Sequence, residues 1–129
     1  NFNARNLTPD MFDNDVDGAV IDVSFISLTY ILPGVANILK DNDYAIALIK
    51  PQFECESKNV GKNGIVKDPV QRKKIVQKII SFALDVGLYA EKITKAPIRK
   101  GKNVEYLVLL NKGINIKYDI NKLIKSTEF

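Results

Sequence analysis

The sequence contains no histidine and no tryptophan, and only one cysteine, Cys55, among its 129 residues. Without histidine, a Ser-His catalytic triad and a His-ligated zinc site are both excluded. A single thiol cannot form an internal disulfide, and with no imidazole to activate it Cys55 is assigned no role. Catalysis must therefore draw on Lys, Asp, Glu, Tyr, Ser or that thiol. Long apolar runs are missing as well. Nothing approaches the roughly 18 consecutive apolar residues that a membrane-spanning helix needs, and the opening "NFNARNLTPD" has no apolar signal core. A soluble, cytoplasmic chain with no membrane partner and no bound metal is the expectation.

With 46% hydrophobic and 26% charged residues, the composition fits one compact domain. The formal charge of +4 is modest but unevenly spread. Most of the first 56 residues are neutral or acidic, whereas lysines and arginines crowd the stretch 58–102. A clustered excess of this kind attracts polyanions, while a scattered one mainly aids solubility. The chain begins with Asn rather than Met, which reads as a piece of a longer protein.

Along the chain, "AVIDVSF" (19–25) is rich in Val, Ile and Phe, as in a strand buried on both faces. "ISLTYILPGVANILK" has apolar residues at helical intervals, with Pro33 kinking the helix or starting a second segment. "YAIALIK" (44–50) is a second strand, and the Gly- and Pro-bearing 51–67 a loop. Asp68-Pro69 supplies an N-cap carboxylate and a proline harmless at the first helical position. The helix it opens runs to about Val86, with Gly87 as a left-handed stop. Its expected apolar stripe is Val70, Ile75, Val76, Ile79, Ile80 and Ala83, and its outer face carries Arg72, Lys73, Lys74 and Lys78. "LYAEKITKAPI" and "VEYLVLL" are strands around the basic turn "RKGKN", and a short helix is expected near 118–125. The order β-α-β-α-β-β implies an α/β fold with a mainly parallel sheet, right-handed crossovers and an antiparallel edge. Residues 1–111 form the domain and 112–129 a C-terminal tail.

In open α/β sheets ligands bind outside the carboxyl ends of the strands. Asp22 lies late in the first strand and Lys50 closes the second, so parallel neighbours place them side by side. Glu105 sits near the start of "VEYLVLL", and an antiparallel edge strand would bring it to the same rim. Each has an ordinary alternative: Asp22 as a helix cap, Lys50 snorkelling to water, Glu105 as a partner of Lys102. Phe53 and Tyr106 could stack on a base, although core packing suits aromatics beside apolar runs better.

In order, "NARNLTP" (3–9), "IDVSFISL" (21–28), "LIKPQFE" (48–54), "VGKNGIVKDP" (60–69) and "KNVEYLVLL" (102–110) resemble the hemolysin A, or TlyA, group of ribosomal RNA 2′-O-methyltransferases, related to the FtsJ (RrmJ) fold. The resemblance implies a Rossmann-like S-adenosylmethionine-dependent fold represented by its later strands and helices, without its N-terminal cofactor strands. It also implies a Lys-Asp-Lys-Glu tetrad that methylates a ribose hydroxyl. Asp22, Lys50 and Glu105 match three members of it, while the first Lys and the glycine-rich cofactor turn precede the stretch. "FECES" (53–57) departs from the small and glycine residues usual after the family's glutamate. Lys50 is then the general base, and Asp22, Val23 and Ser24 contact the cofactor. Lysine has an unperturbed pKa of about 10.4, which burial or a neighbouring cation lowers and neighbouring carboxylates raise, so the tetrad's first Lys would offset its two acidic members.

The basic segments "SKNVGKNGIVK" and "KAPIRKGKN" would flank that site. Lys58, Lys62, Lys67, Arg99, Lys100 and Lys102 are accordingly candidates for ribosomal RNA phosphates. The alternative is a non-catalytic α/β half-domain that binds RNA or self-associates. An exposed sheet edge at "AVIDVSF" favours pairing with a second copy, hence a homodimer, and the fragment alone is expected to be inactive.

Overall fold

A computed structural model describes residues 4–12, 16–61, 63–98, 100–113 and 119–129. Among these residues four strands form one sheet: β1 (Val16–Ile21), β2 (Leu39–Ile49), β3 (Leu88–Lys95) and β4 (Tyr106–Lys112). Three α-helices accompany it, α1 (Leu32–Ile38), α2 (Pro69–Asp85) and α3 (Ile120–Lys125).

The strands lie in the order β1-β2-β4-β3. β1 and β2 pair in parallel, and β4 runs antiparallel to both of its neighbours. The sheet is thus less parallel than the strand-helix alternation implies, and β3 rather than β4 takes the edge. Composition explains the exchange. "YLVLL" is continuously apolar, as a strand flanked on both sides needs to be, whereas β3 carries Glu91, Lys92 and Lys95, which are tolerated at an edge.

One face of the sheet is packed. Ala45, Ala47 and Ile49 of β2, Val108 and Leu110 of β4, and Leu88 and Ala90 of β3 join the helix residues Leu32, Val35, Val76, Ile79 and Ile80 in a single buried cluster. The other face is only partly covered. Val20 is 81% exposed, and its β2 partner Ile46 and the β4 residue Leu109 next to that are half-buried. β1 is therefore not buried on both faces, and it ends at Ile21, leaving Asp22 just beyond it rather than within it.

Local chemistry accounts for the helix starts. Pro33 lies in the first turn of α1, so it opens a segment instead of kinking one, after a short 3-10 turn at Leu28–Tyr30 capped by the Ser27 hydroxyl. Asp68 caps α2 by accepting from the Val70 amide at 2.9 Å, with Pro69 at the first position. Gly87 ends the helix at φ +92°, a conformation that costs an L side chain steric strain. In the tail, Asp119 accepts from the amides of Asn121 and Lys122 and so caps α3. No helix among the described residues is long and apolar enough to cross a membrane.

Two expectations for α2 fail. Val70 is 58% exposed, and Arg72, expected on the outer face, is buried at 7%. The spacing explains both. Arg72 stands three and four residues before Ile75 and Val76 and shares their stripe, whereas Val70 does not. The guanidinium is satisfied there by the Tyr106 hydroxyl, the carbonyls of Val66 and Lys67, and the carbonyl of Phe129, all at 2.9 to 3.1 Å. The Tyr106 and Phe129 rings pack with centroids 5.5 Å apart.

Candidate active site

The parallel register sets Ile21 against Ala47, so both chains leave the sheet on the same rim. There the Lys50 amine lies 2.6 Å from Asp22 Oδ1 and donates to the Ser24 hydroxyl at 3.1 Å. The lysine side chain is 14% exposed and the aspartate 63%. The lysine side chain is thus largely covered while its carboxylate partner stays open to solvent.

Glu105 reaches this rim from the opposite strand direction. Ile49 pairs with Tyr106, so the residues just beyond them, Lys50 and Glu105, are neighbours at the same end. The carboxylate does not join the Lys50 ion pair. It accepts instead from Gln52 Nε2 at 2.9 Å, and Lys102 is not its partner among the described residues. Gln52 lies in the 3-10 turn Pro51–Phe53 that follows Lys50. The three expected residues thus occupy one rim, two of them in direct contact and the third held through an amide.

The loop 22–27 is fixed by a residue that sequence reasoning misses. Glu54 accepts from the Ser27 hydroxyl at 2.5 Å and from the Leu28 amide at 2.7 Å, tying the loop after β1 to the loop after β2. Burial pushes its carboxyl above the usual value of 4.5, against the opposing pull of those two hydrogen bonds and of Lys78 on α2. Its partners lie 26 and 27 residues away, and no local pattern marks them.

Between these anchors Phe25 adopts φ +61° and is 88% exposed. A left-handed backbone costs a non-glycine residue roughly 1–2 kcal/mol. Its ring meets that of Phe53 with centroids 4.8 Å apart at 50°. Phe53 is half-buried, whereas Tyr106, the other aromatic candidate, is fully buried in the core and offers no face to a ligand.

Asp22 and Val23 line a mainly apolar cavity of about 360 Å³ along the free edge of β1, walled also by Leu7, Ile31 and Val35. Ser24 is exposed and spends its hydroxyl on Lys50. Of the basic candidates, Lys58 pairs with Glu56 at 3.0 Å and borders a groove with Lys74 and Lys78. Lys67, Lys100 and Lys102 are exposed, and Lys62 and Arg99 lie outside the described residues. Cys55 is half-buried, and burial raises its thiol pKa, which leaves it less of the reactive thiolate. No cluster of acidic and thiol groups able to hold a metal occurs among the described residues.

The sequence profile of the FtsJ-like methyltransferases matches residues 1–112. Hemolysin A of Brachyspira hyodysenteriae is 40% identical over 108 residues, which is 82% of this chain and 45% of that protein. The 16S/23S rRNA (cytidine-2′-O)-methyltransferase TlyA of Mycobacterium tuberculosis is 36% identical over 109 residues, 84% of this chain and 41% of that protein. Among solved structures, a hemolysin-type protein of Lactococcus lactis superposes with a TM-score of 0.83 at 38% identity, covering 96% of this chain and 62% of that one. The chain spans less than half the length of the two curated relatives named here.

Proposed function

Because the chain belongs to the FtsJ-like methyltransferase family, we propose that it forms the catalytic rim of an enzyme that transfers a methyl group from S-adenosylmethionine to a ribose 2′-hydroxyl of ribosomal RNA. The observation that carries this reading is the Lys50 amine, 2.6 Å from Asp22 and 3.1 Å from Ser24 at the strand ends where α/β sheets bind ligands.

A ribose hydroxyl is a poor nucleophile near neutral pH. Holding it in line with the methyl donor supplies much of the barrier reduction, and a positioned base adds roughly 10²–10⁴-fold. Lys50 accepts the hydroxyl proton when its amine is neutral. Asp22 and Ser24 fix the direction of that amine, and Glu105 closes the rim from the antiparallel strand.

The residues present fit one wall of the cofactor site. Asp22 and Val23 bound the cavity beside β1, a mainly apolar surface that includes one carboxylate, which suits a cationic group on an organic body. S-adenosylmethionine, when bound, supplies an electrophilic methyl on a sulfonium.

Phe25 supplies the seat for the target base. It is exposed, held in a costly backbone conformation and backed by Phe53. Strained residues persist where the surrounding structure over-determines them, and such sites are commonly functional. Stacking on an aromatic ring is worth roughly 1–3 kcal/mol per base. Lys58, Lys67, Lys100 and Lys102 would neutralise flanking phosphates. Incubation of the full-length protein with ribosomal RNA and methyl-labelled S-adenosylmethionine tests the proposal. Label recovered in 2′-O-methylated nucleosides is the expected result, and label found solely on bases or none at all would contradict it.

A further inference from the structure

Glu105 also lines a polar pocket of about 410 Å³, together with Gln52, Pro97, Lys102 and Asn103. Its size falls within the roughly 300–1,000 Å³ of small-ligand sites. Its walls are anchored. Asn103 spends its amide on the Gly64 carbonyl at 2.7 Å and the Val66 amide at 2.9 Å, which fixes the 64–66 loop against it.

The pocket's lining includes the Glu105 carboxylate and the Gln52 amide. Gln52 donates to Glu105 through Nε2, and that bond turns its Oε1 away into a buried position where no donor meets it. A buried acceptor without a partner costs about 1–3 kcal/mol, and such groups in folded proteins call for an explanation. The Glu105 carboxylate adds further acceptor capacity beside it. Lys102 also lines the pocket, exposed and without an acidic partner among the described residues. Acceptors and a cation on one lining complement a ligand that carries hydroxyl donors on one part and an anionic group on another. A ribose with its phosphodiester has that character. A base edge presenting carbonyl oxygens would face like against like.

We propose that this pocket seats the ribose phosphate of the nucleotide next to the methylated one, with Gln52 as the positioning residue that holds Glu105 between the two seats. The proposal rests on the ribose-methylation reading and extends it to a second nucleotide.

The test uses the full-length protein, ribosomal RNA and labelled S-adenosylmethionine, with kinetics at several salt concentrations. Lys102→Ala should raise KM for RNA several-fold with kcat within about twofold, and make the dependence of log KM on log salt shallower by roughly one. Gln52→Met, which keeps the volume without the polar atoms, should raise KM and also lower kcat about tenfold, because Glu105 loses its donor. Unchanged KM and salt dependence in Lys102→Ala would overturn the phosphate seat, and unchanged kcat in a folded Gln52→Met would overturn the positioning role. Lys102 is exposed, so its variant keeps the test available if Gln52→Met does not fold. A wild-type protein inactive on ribosomal RNA would instead overturn the underlying reading.

Discussion

The Lys50 amine sits 2.6 Å from Asp22 Oδ1, although the two residues are 28 apart in sequence. What joins them is the parallel pairing of β1 and β2, which carries both strands to the same rim.

Phe25 stores strain that a glycine would release. In Phe25→Gly the relief of about 1–2 kcal/mol from the left-handed backbone is offset by the lost contact with Phe53 and the greater freedom of the unfolded chain. Stability should change by less than about 1 kcal/mol in chemical denaturation. RNA affinity should nevertheless fall roughly tenfold or more through the lost stacking surface. A variant that binds RNA as tightly as the wild type would show that the ring has no base on it.

Glu54 makes stability depend on pH with a definite sign. Its folded-state pKa is raised, chiefly by burial, from an ordinary value of 4.5. The folded state therefore holds this proton more tightly than the unfolded chain, so the associated stabilisation is present below about pH 4.5 and is lost as pH rises through the folded value. Glu54→Gln removes the titration. Denaturation midpoints measured from pH 4 to 7 should show the wild type losing ground to the variant as pH rises. A gap that grows in favour of the wild type would mean that the bonds to Ser27 and Leu28 outweigh burial.

Arg72 is the buried cation beneath the rim, and four acceptors depend on it. Arg72→Leu should cost about 2–4 kcal/mol, because those oxygens lose charged donors and three of them are main-chain carbonyls. Arg72→Lys should recover little, since an ammonium cannot reproduce the planar fork that reaches several groups at once. Urea denaturation would read this directly, and a loss below about 1 kcal/mol in Arg72→Leu would contradict it.

Much of this arrangement is legible in the sequence, and the exceptions have physical causes. Strands, helices and the Asp68-Pro69 start follow from periodicity and capping chemistry, which are local. Asp22 and Lys50 stand out because a polar group where an apolar strand stops is conspicuous, and Glu105 because it stands where an antiparallel strand starts. Placing β4 inside the sheet requires weighing the charge on β3 against the unbroken apolar run of β4, a comparison between strands rather than a pattern within one. The burial of Arg72 is readable from its spacing to Ile75 and Val76, yet its charge argues for the outside until four acceptors are known to await it. Glu54 and Gln52 leave no local trace. The partners of each come from another part of the chain, and the loops carrying them have no period to read.

The central claim is that Lys50 takes the proton of the ribose hydroxyl, and replacing it in the full-length protein tests this most directly. Methyl transfer to ribosomal RNA should fall by roughly 10²-fold or more in Lys50→Ala, while calorimetry shows S-adenosylmethionine bound as in the wild type. Turnover within a few-fold of wild type would contradict the account.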